Sequence, residues 1–226
     1  MIESRQYRGL DLEIVKAKSS RVCYFLLPEG LKSDGLKLLE EAAEKYQCSM
    51  VVISGFNWND ALTPWPAPGV FKEKKPFGGK ADSFLKELKV EYIRDIEQSL
   101  GVIRPERYLV GVSLSGLFAL WALTQTTTLQ AVAAISPSLW YDNFAEWLST
   151  NQLPSVPGKV HISLGDKEKN SKDPRMSTVE SCTERVVEIL RQQSVDVDYQ
   201  LFHGTHFSPI VPRLEMALNA IMQQKI

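Results

Sequence analysis

Three stretches of this sequence could combine to do nucleophilic chemistry. The first is Tyr108-Leu109-Val110-Gly111-Val112-Ser113-Leu114-Ser115-Gly116, followed by the apolar run to Leu123. It reads as strand, tight turn and helix, with Ser113 at the turn, which is the layout of a nucleophile elbow. Such an elbow follows the pattern G-x-S-x-G because the residues two places either side of the serine approach too closely for large side chains. Ser115 takes the place of the second glycine, and Gly116 follows at once. Ser113 is therefore the candidate nucleophile. Ser115 fits worse, because its own flanking positions are Ser113 and the bulky Leu117. A serine hydroxyl attacks poorly near neutral pH unless a base lies within hydrogen-bond reach, and an imidazole with a pKa near about 6.5 can take its proton and return it.

The chain has three histidines. His161 falls inside an apolar run of the buried-strand kind and reads as a core or edge residue. His203 and His206 share the last loop, and His206, in Gly204-Thr205-His206-Phe207, lies further from the strand and beside a glycine, so it is favoured as the base. The acid is Glu168 or Asp166, in the turn Gly165-Asp166-Lys167-Glu168. Glu168 is preferred, although an ordinary solvated turn has the same composition. The order serine, acid, histidine is that of α/β-hydrolases, not that of the chymotrypsin or subtilisin folds. Acyl transfer also needs donors for the developing oxyanion. Leu114 N–H, next to the nucleophile at a helix start, is one candidate. Gly30 or Leu31, in the loop after an early strand, supplies the other, and Leu31 is chosen.

The elements that must carry these loops alternate along the chain. Apolar runs at residues 22–27, 50–54, 131–135 and 159–164 read as buried strands, and 10–17 and 195–202 as further strands. Helical spacing marks residues 36–46, 81–101, 177–192 and 214–222, and a polar helix is expected over 143–149. Strand and helix in alternation predict an α/β fold with a mostly parallel, doubly wound sheet, whose strand carboxyl ends gather functional groups. The stretch 55–80 breaks the rhythm with Phe56, Trp58, Trp65, Phe71 and Phe77 among prolines and glycines. It is either an ordered loop packing its own aromatics or a wall of the substrate site, and Trp58, Trp65 and Trp140 are the candidate substrate contacts.

Composition narrows the functions. With 226 residues, 44% of them apolar, one domain over residues 1–226 is expected. The balance of 26 basic and 27 acidic residues favours neither nucleic acid nor an anionic membrane, which points to a small-molecule partner. Cys23, Cys48 and Cys182 are odd in number and widely spaced, as for reduced thiols. Residues 1–9 are polar and lack the apolar stretch of a signal peptide, so a cytoplasmic protein is expected. No metal or other cofactor is expected, since the histidines show no ligand spacing and no phosphate-binding glycine loop follows a strand. Nothing in the sequence bears on oligomeric state.

Several motifs together resemble the putative esterase family of α/β-hydrolases, which includes esterase D and the trilactone esterases of siderophore metabolism. They are Leu26-Leu27-Pro28-Glu29-Gly30, Leu62-Thr63-Pro64, Gly78-Gly79-Lys80-Ala81-Asp82-Ser83-Phe84-Leu85, residues 111–120 of the elbow, Ile135-Ser136-Pro137-Ser138-Leu139-Trp140, and Gly204-Thr205-His206. The resemblance implies an α/β-hydrolase fold and a serine hydrolase of carboxylic esters, with Ser113 as nucleophile, His206 as base and Glu168 as acid. Relatives usually carry histidine and glycine where this chain has Val112 and Ser115, and histidine or aspartate where it has Glu29. The short amino end predicts reduced early antiparallel strands. Acyl transfer to an alcohol on the same site, and a catalytically silent binding protein of the same fold, are the alternatives.

Overall fold

The computed structural model describes residues 1–70 and 75–222; Phe71 lies outside them. Two strands open the chain, β1 (Ile2–Tyr7) and β2 (Leu10–Val15), joined by a turn in which Arg8 and Gly9 both have positive φ, 50° and 85°. Positive φ at both central residues is what a tight hairpin needs to match strand twist. Each strand of this amino-terminal hairpin is six residues long, the same as β3 (Arg21–Leu26) and β4 (Ser49–Ser54). Its first strand lies in the stretch whose polarity hid it. β1 pairs only with β2 and shows no fully buried side chain, as suits a sheet edge.

Helix α1 (Ser33–Tyr46) links β3 to β4. The aromatic stretch follows, with α2 (Trp58–Ala61) and a small ladder between β5 (Pro66–Ala67) and β6 (Phe77–Gly78). Gly79 has φ +68°, and a Cβ there would lie 2.4 Å from Pro66 N, so this crossing requires glycine. The single helix expected over residues 81–101 is α3 (Ala81–Glu87) and α4 (Arg94–Leu100) with a π-helical turn, Leu88–Ile93, between them. β7 (Glu106–Val112) leads through the elbow into α5 (Leu114–Ala122), then β8 (Leu129–Ile135), α6 (Phe144–Thr150), β9 (Lys159–Gly165), α7 (Val179–Gln192), β10 (Val197–Phe202) and α8 (Ile210–Met222). The α6 segment is less polar than expected, because Phe144 and Leu148 are fully buried. α8 begins before Leu214 because Pro212, in its first turn, has no intrahelical N–H bond to lose.

The eight main strands form one sheet in the order β1-β2-β4-β3-β7-β8-β9-β10. β1, β2 and β4 pair antiparallel, and every pair from β4 through β10 is parallel. Helices cover both faces. Leu39 and Ala43 of α1 and Leu214 and Leu218 of α8 pack on one side against Phe25, Val52 and Ala133. Phe84, Ile96, Leu117 and Leu190, from α3, α4, α5 and α7, pack on the other against Tyr24, Ile53 and Val132. Burial on both faces explains why the inner strands read as continuous apolar runs. The carboxyl ends of β7, β8, β9 and β10 emerge side by side, bringing together Ser113, Ser136, Glu168 and the loop that carries His206.

Candidate active site

Ser113 is held in an unusual backbone conformation, φ 59° and ψ −121°. A non-glycine residue persists there only when its surroundings fix it. Ser113 N–H donates to Ile135 O at 3.0 Å, and Ser113 O accepts from the amides of Leu117 and Ser138, both at 3.1 Å. A Cβ on Gly111 would lie 2.1 Å from Ser115 O, so the backbone at position 115, not its side chain, is what demands glycine at 111. This is why a serine can stand at 115. Its hydroxyl points inward, accepts from Val112 N–H at 2.7 Å, and reaches Leu26 O at 2.7 Å and Val112 O at 2.8 Å.

His206 Nε2 lies 3.1 Å from Ser113 Oγ, and His206 Nδ1 lies 2.8 Å from Glu168 Oε2. An ionised carboxylate only accepts, so Nδ1 carries the ring proton and Nε2 is left to accept from the serine hydroxyl. The Glu168 side chain is 3% exposed and that of His206 25%. Burial pushes the Glu168 carboxyl upward, but hydrogen bonds from His206, Ser136 and the Gly165 amide outweigh it and hold the group below its ordinary value. Those partners divide its two oxygens: Ser136 Oγ donates to Oε1 at 2.6 Å and Gly165 N–H at 2.8 Å, leaving Oε2 for the histidine.

The two residues passed over in the sequence pair with each other. His203 Nδ1 lies 2.9 Å from Asp166 Oδ2, with the His203 side chain 79% exposed. His161 is in β9 and fully buried, with Nδ1 2.7 Å from Asp198 Oδ2 and no partner for Nε2 among the described residues.

The oxyanion candidates fare differently. Leu114 N–H is the first amide of α5, where no intrahelical carbonyl can accept it and the helix dipole favours negative charge. Leu31 N–H instead donates to Glu13 Oε2 at 3.3 Å, so a side chain of β2 occupies this donor.

Of the three tryptophans, only Trp140 meets the site. With Met176, Val179 and Phe207 it gives the apolar lining of a cavity of about 230 Å³ that also contains His206, Glu168 and Lys167. Trp65 donates Nε1–H to Asp142 O at 3.0 Å and packs among Tyr141, Phe144 and Trp147; Trp58 stacks on Phe56. The aromatic loop is thus chiefly packing, and neither of these two lines the cavity.

Two serines with no role assigned from sequence also touch the cluster. Ser138 Oγ lies 3.3 Å from Ser113 Oγ and is fully buried, and Ser136 holds the second oxygen of Glu168. Both belong to the Ser-Pro-Ser-Leu-Trp stretch after β8, whose unusual composition at a strand carboxyl end was the available signal. The described residues contain no group of three or more His, Cys, Asp or Glu placed to hold a metal ion, and no helix among them is long and apolar enough to cross a membrane.

Comparison with known proteins agrees with this architecture. Residues 36–210 match the family model described as Putative esterase. The uncharacterized protein YbbA of Bacillus subtilis (strain 168) is 28% identical over 175 residues, 75% of this chain and 70% of YbbA. An IroE-like serine hydrolase from Shewanella oneidensis superposes with a TM-score of 0.78 at 18% identity, over 96% of this chain and 78% of that one. The siderophore hydrolase EstA from Aspergillus nidulans gives 0.71 at 20% identity, over 98% and 93%. The structural likenesses establish the fold, and the family model spans well over half of the sequence. The chain belongs to the Putative esterase family of the α/β-hydrolase superfamily and is a carboxylic ester hydrolase.

Proposed function

We propose that the chain cleaves esters of small molecules through an acyl-enzyme on Ser113. Ser113 Oγ attacks the ester carbonyl carbon as its proton passes to His206 Nε2, and the carbonyl electron pair moves onto oxygen. Collapse of this intermediate breaks the ester C–O bond, and His206 returns the proton to the leaving alcohol. Water then repeats the sequence, His206 taking its proton, and the carboxylic acid leaves with Ser113 restored. Glu168 holds the imidazole in the tautomer that can accept and faces the imidazolium that forms. Leu114 N–H supplies one oxyanion donor, and Leu31 N–H supplies the second once it exchanges Glu13 for the oxyanion. Trp140, beside Phe207 and Met176, offers an apolar surface to one side of the ester.

The observation that carries this reading is the unbroken chain of hydrogen bonds from Ser113 Oγ through His206 to Glu168, at 3.1 and 2.8 Å. The purified protein is expected to hydrolyse short p-nitrophenyl esters and to be labelled by a fluorophosphonate at Ser113. Ester turnover that survives unchanged in Ser113→Ala would sink the proposal.

A further inference from the structure

Arg213, on α8, is a charged side chain only 5% exposed that the mechanism above does not use. Its guanidinium lies 5.1 Å from the centre of the Phe202 ring and spends its donors on two targets. One is the backbone of the histidine loop: Nη2 donates to Ser208 O at 2.6 Å and His206 O at 3.4 Å, and Nε to Pro209 O at 3.3 Å. The other is Ser136, whose Oγ accepts from Nη1 at 3.0 Å.

The directions of these bonds are fixed by chemistry. Guanidinium only donates and an ionised carboxylate only accepts, so the single hydroxyl proton of Ser136 must point at Glu168 Oε1, 2.6 Å away. A buried cation is thus linked through one hydroxyl to the carboxylate that faces the histidine. Ser136 is itself locked: its φ is +45°, and its amide donates to Ser163 O at 2.7 Å. One side chain therefore touches both halves of the His206–Glu168 pair, the loop that carries the base and, through Ser136, the acid.

Resting on the proposed esterase mechanism, we propose that Arg213 and Ser136 are positioning residues, which fix the register between Glu168 and His206 so that Oε2 of the carboxylate stays on Nδ1 of the ring. Neither reaches Ser113, and neither enters the reaction. With the link intact, Oε1 accepts both the Ser136 hydroxyl and the Gly165 amide; without it the amide alone remains, so the carboxylate is held less firmly and the imidazole tautomer is less strictly fixed.

The test is a double-mutant cycle with a spectroscopic readout. Ser136→Ala deletes only the link and leaves the grip of Arg213 on the loop. It is expected to lower kcat roughly 10- to 100-fold with little change in KM, the scale of one lost hydrogen bond to a charged group. In the Glu168→Gln background the same substitution should cost less than about threefold, because the carboxylate it serves is gone. Equal costs in both backgrounds would overturn the proposal. Independently of turnover, the low-field proton resonance of His206 Nδ1–H, assigned by its loss in His206→Ala, should shift or broaden in Ser136→Ala. The His161 Nδ1–H resonance on Asp198 should stay in place as a folding control. An unmoved His206 resonance also overturns the proposal. Should the wild-type protein turn over no ester, the esterase mechanism fails while the resonance still decides the positioning role. Arg213→Met is expected to perturb the same resonance more strongly, since it also releases the loop carbonyls.

Discussion

The hydroxyl of Ser115 donates to the carbonyl of Leu26 across 2.7 Å, joining the first turn of the elbow helix to the end of β3. That strand runs directly into the Leu27–Leu31 loop. The position that is usually glycine in the elbow pattern here connects the segment of the proposed nucleophile to the loop proposed to help hold the oxyanion.

Ser115→Ala should therefore weaken both stability and catalysis. Position 115 is fully buried, and the substitution strips Val112 N–H of its acceptor at 2.7 Å. The expected loss is about 1–3 kcal/mol. For a chain of this size that lowers Tm by roughly 2–4 °C per kcal/mol. kcat should fall more than KM rises, because the loop and the elbow lose their common tie. Calorimetry and steady-state ester kinetics on the variant check both, and wild-type values in each would remove this role for Ser115.

The two histidine–carboxylate pairs allow a sharper discrimination. Glu168→Gln should cut kcat by roughly 10³- to 10⁴-fold, as expected when a triad acid no longer fixes the tautomer of its histidine. Asp166→Asn should change it by less than about threefold, since its partner His203 is 79% exposed and does not reach Ser113. If the two variants lose activity equally, the acid has been assigned to the wrong pair.

How far the sequence discloses this site depends on what each element buries. Strands covered on both faces announce themselves as apolar runs, and their loops follow in order, so Ser113, Glu168 and His206 are legible. The β1 edge strand is half solvated and its turn is Arg8-Gly9, without the asparagine or aspartate that usually marks such a hairpin. Trp65 is opaque for a different reason: a tryptophan that packs on Phe144 and one that faces a ligand have the same sequence signature, and only the 3.0 Å bond to Asp142 O separates them. The hydrogen bonds of Ser136 and Arg213 join residues 77 positions apart, beyond the reach of any local pattern. Leu31 illustrates the limit most directly, because the acceptor of its amide, Glu13, lies on a strand that precedes it by 18 residues.

Glu13 should act as a brake. Its carboxylate takes the Leu31 amide at 3.3 Å and places negative charge beside the site proposed for the oxyanion. Glu13→Gln keeps an acceptor under the loop but removes the charge, so both the competition and the repulsion ease. kcat is expected to rise a few-fold, on the order of the energy of one screened charge at several ångströms. Unchanged or lower kcat in a stable Glu13→Gln protein would show that Leu31 is not an oxyanion donor, or that the carboxylate is needed to hold the loop.

His161 gives the fold a pH dependence separate from that of catalysis. Its ring, carried on β9 beside Asp198 of β10, is fully buried, and burial pulls its pKa below the ordinary 6.5, partly offset by the hydrogen bond to Asp198. As pH falls through about 6.5 the ring takes a proton in the unfolded chain but not yet in the folded one. The unfolded state then holds more protons, so stability falls with pH in this window. Glu168 and Asp198 have carboxyl groups held below their ordinary values of 4.5 and 3.8, so the stability they contribute is kept until pH drops below that range. A decline between pH 7 and 5.5 therefore belongs to the histidine and not to these acids. Tm of the wild-type protein should be lower at pH 5.5 than at pH 7.5, and His161→Gln, which can still donate to Asp198, should narrow the gap. An equal gap in both proteins would assign the dependence to another group.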